Sequence, residues 1–249
     1  MLNAKKRSRR AVVGRKKRAE NINKYCYEIE PDLVLLEDVF QHIQPYRSFN
    51  IVIFDALLPL ESYKTAPLGY LREGLVALKD ADVVLISRAD QAPKEKIDSL
   101  LALLNPHLNP ATLIGRFKYV PTGIYDGFDK KVMELDDLEG KSIIALTAIA
   151  SPDSFYHLLE GHGALLIDKI VYPIHHFFSY DDINDILMSS VKNNAIVITS
   201  EKDMVKIRKV TKDSRIICVN IDIKFLSGED QLLGKLRNIL NRDYNSEKK

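Results

Sequence analysis

Cysteine is scarce: Cys26 and Cys218 are the two in a chain of 249 residues. They lie far apart and at no metal-binding or redox spacing. That excludes a zinc module or a disulfide scaffold and fits a reducing, cytosolic compartment. No apolar run approaches the length of a membrane span, and no signal-type apolar segment follows Met1. The phosphate-cradling pattern G-x-x-x-x-G-K-[ST] is also missing. Gly69 to Gly74 has the glycine spacing, but Leu75 and Val76 stand where Lys and Ser/Thr are needed. Aromatic platforms of the kind that stack single-stranded bases are not visible, so nucleic acid is not the expected partner.

What is present is an ordinary hydrophobic content, 46%, enough for one large or two ordinary domains. The net charge of +2 hides a cluster: Lys5, Lys6, Arg7, Arg9, Arg10, Arg15, Lys16, Lys17 and Arg18 crowd the N-terminus. Such a cluster suits anionic headgroups or nucleic acid, and equally a solvated terminus. Short aliphatic runs alternate with helical spacing. Residues 11–14 read as a short strand and 15–27 as a helix. Leu33 to Leu36 reads as a buried parallel strand, with further strands at Asn50 to Asp55 and Asp82 to Ser87. Residues 56–73 hold Pro59, Pro67 and Gly69 and read as a long functional loop. Pro93 to Leu104 has helical spacing, and Leu113 to Val120 is a strand of mixed character. Pro121, Gly123 and Gly127 then interrupt the pattern, which places a domain boundary between 1–120 and 121–249. A second alternation follows: strands at 142–147, 164–172, 195–199 and 215–219, helices at 152–160 and from Ser179 or Tyr180, with Asp181 and Asp182 in its first turn, and an amphipathic helix at 231–241. The expected fold class is α/β, two lobes, each a mostly parallel sheet with flanking helices.

Several strand ends carry chemistry. Glu37 and Asp38 follow the first aliphatic run, with Gln41 and His42 beyond. Ligands of open α/β sheets bind past the carboxyl ends of strands, and Mg²⁺ takes one or two carboxylates plus phosphate oxygens. An acidic first helical turn would look the same. Arg72 and Glu73 place a cation and an anion side by side in the long loop. His175 and His176 follow a strand in the second half; a loop histidine bonded to backbone is the plainer reading, an acid, base or orienting group the sharper one. Ser200-Glu201-Lys202-Asp203 also follows a strand, where such charges usually start a helix. His107, His157 and His162 read as surface residues.

The order of these elements is more specific than any one of them. Glu37-Asp-Val-Phe-Gln-His42, Leu71-Arg-Glu73, Arg88-Ala-Asp90, Ala148-Ile-Ala-Ser-Pro152 with Phe155, His175-His176, and Thr199-Ser-Glu-Lys-Asp203 with Lys206 together resemble the tetraacyldisaccharide 4'-kinase family. The resemblance runs from about Val12 to the C-terminal helix. It implies a P-loop NTPase-like kinase that moves the γ-phosphate of ATP to the 4'-hydroxyl of tetraacyldisaccharide 1-phosphate, giving lipid IVA, with ATP and Mg²⁺. The glycolipid is then the substrate, and the cytoplasmic face of the inner membrane the peripheral location. Asp38, His175, His42 and Gln41 fall on catalytic positions, Glu37 and Asp38 on the metal position, and Arg72, Glu73, Lys202 and Asp203 on cofactor-binding positions. Glu37 and Ile174 stand where the family has Asp, and Ser200 where it often has Thr. Met1 aligns after the family's phosphate loop and its G-D-E motif. The expectation is therefore an N-terminally truncated kinase, impaired on its own; the alternative is a non-catalytic binding protein that uses the basic N-terminus and an interlobe cleft.

Overall fold

A computed structural model describes residues 33–40, 47–149, 152–174 and 176–246, with side chains of the last helix described to residue 240. The expected strand at 11–14 and helix at 15–27 lie outside these residues. In chain order the elements are β1 (Ile51–Asp55), two 3-10 turns (Leu60–Tyr63 and Leu75–Asp80), β2 (Val83–Ser87), α1 (Lys94–Leu104), β3 (Leu113–Tyr125), β4 (Lys131–Met133), β5 (Ser142–Thr147), α2 (Pro152–Gly161), β6 (Leu165–Val171), α3 (Tyr180–Lys192), β7 (Ile196–Ser200), α4 (Glu201–Ile207), β8 (Ile216–Ser227) and α5 (Glu229–Ser246). The architecture is α/β, and its strand pairs are parallel except β3 with β4 where an orientation is assigned.

The chain forms two units. The first runs up to Phe117 and resumes at Phe225; the second is Lys118–Lys224. The sequence places one division at 120/121; the chain crosses at 117/118 and returns at 224/225, so α5 belongs with the first unit. β3 continues through Pro121 and Gly123 rather than ending there, and β8 continues well past Val219 to Ser227.

In the first unit the order is β1-β2-β3. β1 and β2 pair from Ile51↔Val83 to Asp55↔Ser87, so their carboxyl ends share one edge. Every residue of β2 is buried, because both faces are covered. Val84 and Ile86 share one cluster with Ile97, Leu100 and Leu104 of α1, a helical spacing that turns one stripe inward. Val83 and Leu85 pack with Phe117 and with Leu232 of α5. Where β8 leads into α5, two glycines meet. Gly228 has φ +89, and a Cβ on it would lie 2.8 Å from the Gly115 Cα.

In the second unit the order is β8-β7-β5-β6. Ile143, Ala145 and Ile198 face Phe155, Tyr156 and Leu159 of α2. Ile144, Leu146 and Val197 face Ile183 and Ile186 of α3 and Met204 and Ile207 of α4. β6 ends this order, and its pairing with β5 shifts register between Ile143 and Ile144.

One expectation fails. Leu33 to Leu36 is not a buried strand: it has no ladder partner among the described residues, and Leu33 and Leu35 are 60% and 86% exposed. Four aliphatic residues suit a strand, but pairing and a covering layer decide whether one forms. Glu37 and Asp38 therefore sit on an irregular segment, not at a strand tip.

Candidate active site

Asp38 lies in the left-handed region, φ 54, which turns the chain sharply after Glu37. Arg72 donates from Nη1 to Asp38 Oδ2 at 2.9 Å. Two expected site residues far apart in sequence thus meet. The pair is exposed, 62% and 48%, so it contributes little to stability, about 0–1 kcal/mol. Its consequence is positional: it ties the acidic segment to the long loop. Glu37 and Glu73 are exposed beside it in sequence. Gln41 and His42 lie outside the described residues.

The loop bearing Arg72 is anchored at the carboxyl ends of β1 and β2. Arg88, also left-handed at φ 53, forks onto both carboxylate oxygens of Asp55; its Nε reaches Oδ1 at 2.9 Å. The same Oδ1 accepts from the Leu57 N–H at 3.0 Å. The Tyr63 hydroxyl accepts from the Asp55 N–H at 2.9 Å and donates to the Asp55 carbonyl at 2.5 Å. Burial pushes the Tyr63 phenol up to about 12, so it stays protonated and keeps that donor. Lys96 donates to the Leu57 carbonyl at 2.6 Å. In the sequence, Asp55 stood only as the end of a strand and Arg88 as part of a motif, and nothing joined them. Their places past the carboxyl ends of neighbouring parallel strands were the available signal.

In the second unit, Ser200 caps α4 by accepting from the Asp203 N–H at 3.1 Å. Asp203 is fully buried. One of its oxygens accepts from the Ala148 N–H at 2.9 Å and from the Ser200 hydroxyl at 2.9 Å; the other accepts from Lys206 at 2.8 Å. A carboxylate so enclosed acts on a ligand only through the groups it holds, here the backbone just beyond β5. Lys202, beside it, is exposed.

His175 lies outside the described residues, but its neighbour does not. His176 Nε2 lies 3.0 Å from Asp182 Oδ2. Asp182 closes a capping box with Ser179 at the start of α3. The Ser179 N–H above all, then burial acting the opposite way, the Ser179 hydroxyl and His176, leave the Asp182 carboxyl well below the usual carboxylate range, at about 2. Its folded value is depressed, so the stabilisation is fully present above the ordinary value of 3.8 and is lost as pH falls towards 2. Loosening of the first turn of α3 is therefore expected in that acid window, at a cost of about 1 kcal/mol after solvent screening. Amide exchange of residues 180–184 checks it, and in an Asp182→Ala protein the same amides should lose this pH dependence.

No group of three or more His, Cys, Asp or Glu residues among the described residues is arranged to hold a metal ion. Mg²⁺ does not need one. It keeps waters and takes one or two carboxylates with nucleotide phosphates, and the exposed neighbours Glu37 and Asp38 fit that demand. Among the described residues no helix is long and apolar enough to cross a membrane.

Residues 1–241 match the model of the family described as tetraacyldisaccharide-1-P 4'-kinase. The tetraacyldisaccharide 4'-kinase of Anaeromyxobacter sp. (strain Fw109-5) is 31% identical over 212 residues, covering 85% of this chain and 57% of that protein. The one from Halothermothrix orenii is 32% identical over 225 residues, covering 85% and 58%. The crystal structure of LpxK from Aquifex aeolicus in complex with ATP superposes with a TM-score of 0.65 at 18% identity, covering 88% of this chain and 60% of that one, which establishes a shared fold. This chain spans less than two thirds of the length of these relatives. With the family match running through almost every element described above, the chain belongs to the tetraacyldisaccharide 4'-kinase family.

Proposed function

We propose that this chain takes part in transferring the γ-phosphate of ATP to the 4'-hydroxyl of tetraacyldisaccharide 1-phosphate, giving lipid IVA. The observation that carries this reading is the family match over residues 1–241. The contact between Asp38 and Arg72 agrees with it, because it joins two of the family's separated motifs. Phosphoryl transfer relies on placement and charge stabilisation more than on covalent chemistry. Glu37 and Asp38 would hold Mg²⁺, which when bound supplies charge neutralisation on the phosphates. Arg72 orients Asp38 and places a guanidinium beside it. Gln41, His42 and His175 keep the roles that the resemblance implies, and Glu73 and Lys202 remain the exposed charged groups for the nucleotide. The glycolipid is tetraacylated, so it is met at a membrane surface, and the family resemblance implies the cytoplasmic face of the inner membrane, reached peripherally.

Turnover by this polypeptide alone is expected to be slow, because no G-x-x-x-x-G-K-[ST] segment occurs in its 249 residues to cradle the phosphates. The test is transfer of label from γ-labelled ATP to tetraacyldisaccharide 1-phosphate in mixed micelles. Slow, Mg²⁺-dependent transfer is expected, reduced at least tenfold in Asp38→Ala. Glycolipid binding without transfer in any condition favours the non-catalytic alternative. A protein that neither transfers phosphate nor binds the glycolipid overturns the reading.

A further inference from the structure

The loop over residues 62–71 is wound on itself. The Tyr70 N–H donates to the Ser62 carbonyl at 2.8 Å, the Leu71 N–H to the Lys64 carbonyl at 3.1 Å, and the Ala66 N–H to the Leu71 carbonyl at 2.9 Å. The Leu68 N–H closes the tip onto the Thr65 carbonyl at 3.1 Å. Gly69 lies against that winding. A Cβ on it would sit 2.3 Å from the Lys64 carbonyl oxygen and 2.8 Å from that of Ser62, so only glycine fits there. At the base, buried Tyr63 bonds the Asp55 main chain, and Leu71 packs against the core that contains Phe54 and Ile86.

This loop holds apolar groups outward. Leu68 is 79% exposed and Tyr70 76%. A loop free to rearrange gains by turning such groups away from water. Here the backbone bonds keep them out, with the ordering entropy already lost on folding. Two residues beyond Tyr70, Arg72 reaches Asp38. Leu35, three residues before Asp38, is 86% exposed. Both segments that meet at the ion pair thus carry protruding apolar side chains.

These side chains are too few for a protein partner, since a stable protein interface buries about 800 Å² on each side around an apolar centre. They also stand within a collar of charge: Glu61 and Lys64 precede the tip, Arg72 and Glu73 follow it, and all four are exposed. Protruding apolar groups above such a collar suit a lipid surface. A leucine enters the acyl region, while a tyrosine ring rests at headgroup level with its hydroxyl wet. We propose that the loop tip, residues 67–70, is a wedge that enters the lipid surface carrying the glycolipid, so that Arg72 and Asp38 meet the sugar headgroup where its acyl chains are anchored. The identity of the lipid rests on the kinase reading above, and the wedge adds the surface through which that site meets its substrate. The collar balances acids with bases, so apolar burial rather than net charge drives the entry.

The chain contains no tryptophan, so one placed in the tip is a sole fluorescent reporter. Leu68→Trp and Tyr70→Trp, each in the full chain, are mixed with vesicles of phosphatidylethanolamine and phosphatidylglycerol whose acyl chains carry bromine. Ala102→Trp is the control: it is exposed late in α1, which leaves the carboxyl end of β2 and runs back along the sheet, away from the loop. Emission from positions 68 and 70 should shift to the blue and be quenched by the bromines, and emission from 102 should stay unquenched. Co-sedimentation with the vesicles but no quenching at 68 and 70 overturns the wedge; a protein-binding loop, or attachment through the basic N-terminus alone, would give that result. Failure to bind the vesicles, or equal quenching at all three positions, overturns it as well. Activity supplies a second arm. If the wild-type protein transfers phosphate, the double variant Leu68→Ser and Tyr70→Ser should raise KM for vesicle-borne glycolipid about tenfold with kcat kept, a loss within what burying one leucine is worth. An unchanged KM overturns the proposal. Absence of transfer by the wild-type protein overturns the kinase reading instead, and the quenching arm still decides the wedge.

Discussion

Replacing Asp203 by Ala should destabilise the second unit by about 3–5 kcal/mol, seen as a lowered urea midpoint with little change in slope. The side chain is fully buried and satisfies three donors: the Ala148 N–H, the Ser200 hydroxyl and the Lys206 ammonium. Removing it leaves an N–H and a cation that is only 18% exposed without their acceptor. Each buried orphan costs about 1–3 kcal/mol, more for a charge. Asp203→Asn keeps the volume and one acceptor and should cost less. Lys206→Met, which removes the cation while leaving the two other donors engaged, should be milder than Asp203→Ala. Equal losses in all three would show that the carboxylate is not the hub of this cluster. The same cluster fixes the backbone just past β5, so activity in Asp203→Asn should drop further than stability does.

Gly228→Ala should be nearly as severe for the first unit, about 2–5 kcal/mol. A left-handed alanine costs roughly 1–2 kcal/mol, and crowding a packed backbone about 1–3 more. At φ +89 the new Cβ would sit 2.8 Å from the Gly115 Cα, which is main chain and does not swing away. Gly115→Ala meets the Leu85 Cδ2 at 2.8 Å first, the far end of a flexible side chain, but also the Ser227 carbonyl at 3.2 Å. It should therefore be the milder of the two. Soluble yield and urea unfolding distinguish them, and a Gly228→Ala protein as stable as wild type would refute the close approach of β3 and the β8–α5 joint.

The parts that were legible in the sequence are those where local composition and tertiary demand agree. Val83–Ser87, Ser142–Thr147 and Ile196–Ser200 are aliphatic runs buried on both faces, and α1 shows its stripe at Ile97, Leu100 and Leu104. Ser179 or Tyr180 ahead of Asp181 and Asp182 marked the start of α3, and in the structure Ser179 is the cap and closes a full capping box with Asp182. What was not legible depends on partners. Leu33–Leu36 has the composition of a core strand but no ladder among the described residues. β3 and β8 run on through Pro121 and Asn220 because pairing, not propensity, sets where they stop. The expected site residues divide in the same way. Asp38 and Arg72 were named separately, and their contact spans 34 positions. Asp203 drew notice as part of a charged motif, while its burial depends on Ala148, 55 positions away. The pairing of His176 with Asp182 spans only six positions, yet it needs the turn at Pro173 to bring them together.

The shifted register between β5 and β6 bears on how this molecule behaves in a crowded cell. β6 offers Leu165, Ile167 and Val171 to solvent at 56%, 44% and 54% exposure, the sort of apolar margin that invites another chain to add on. The extra residue opposite Ile143 and Ile144 breaks the even spacing of backbone donors and acceptors, and Asp168 and Lys169 follow directly. Among the described residues β6 ends the strand order, and a strand added there would meet a kinked template with charges along it, which opposes sheet growth at this margin.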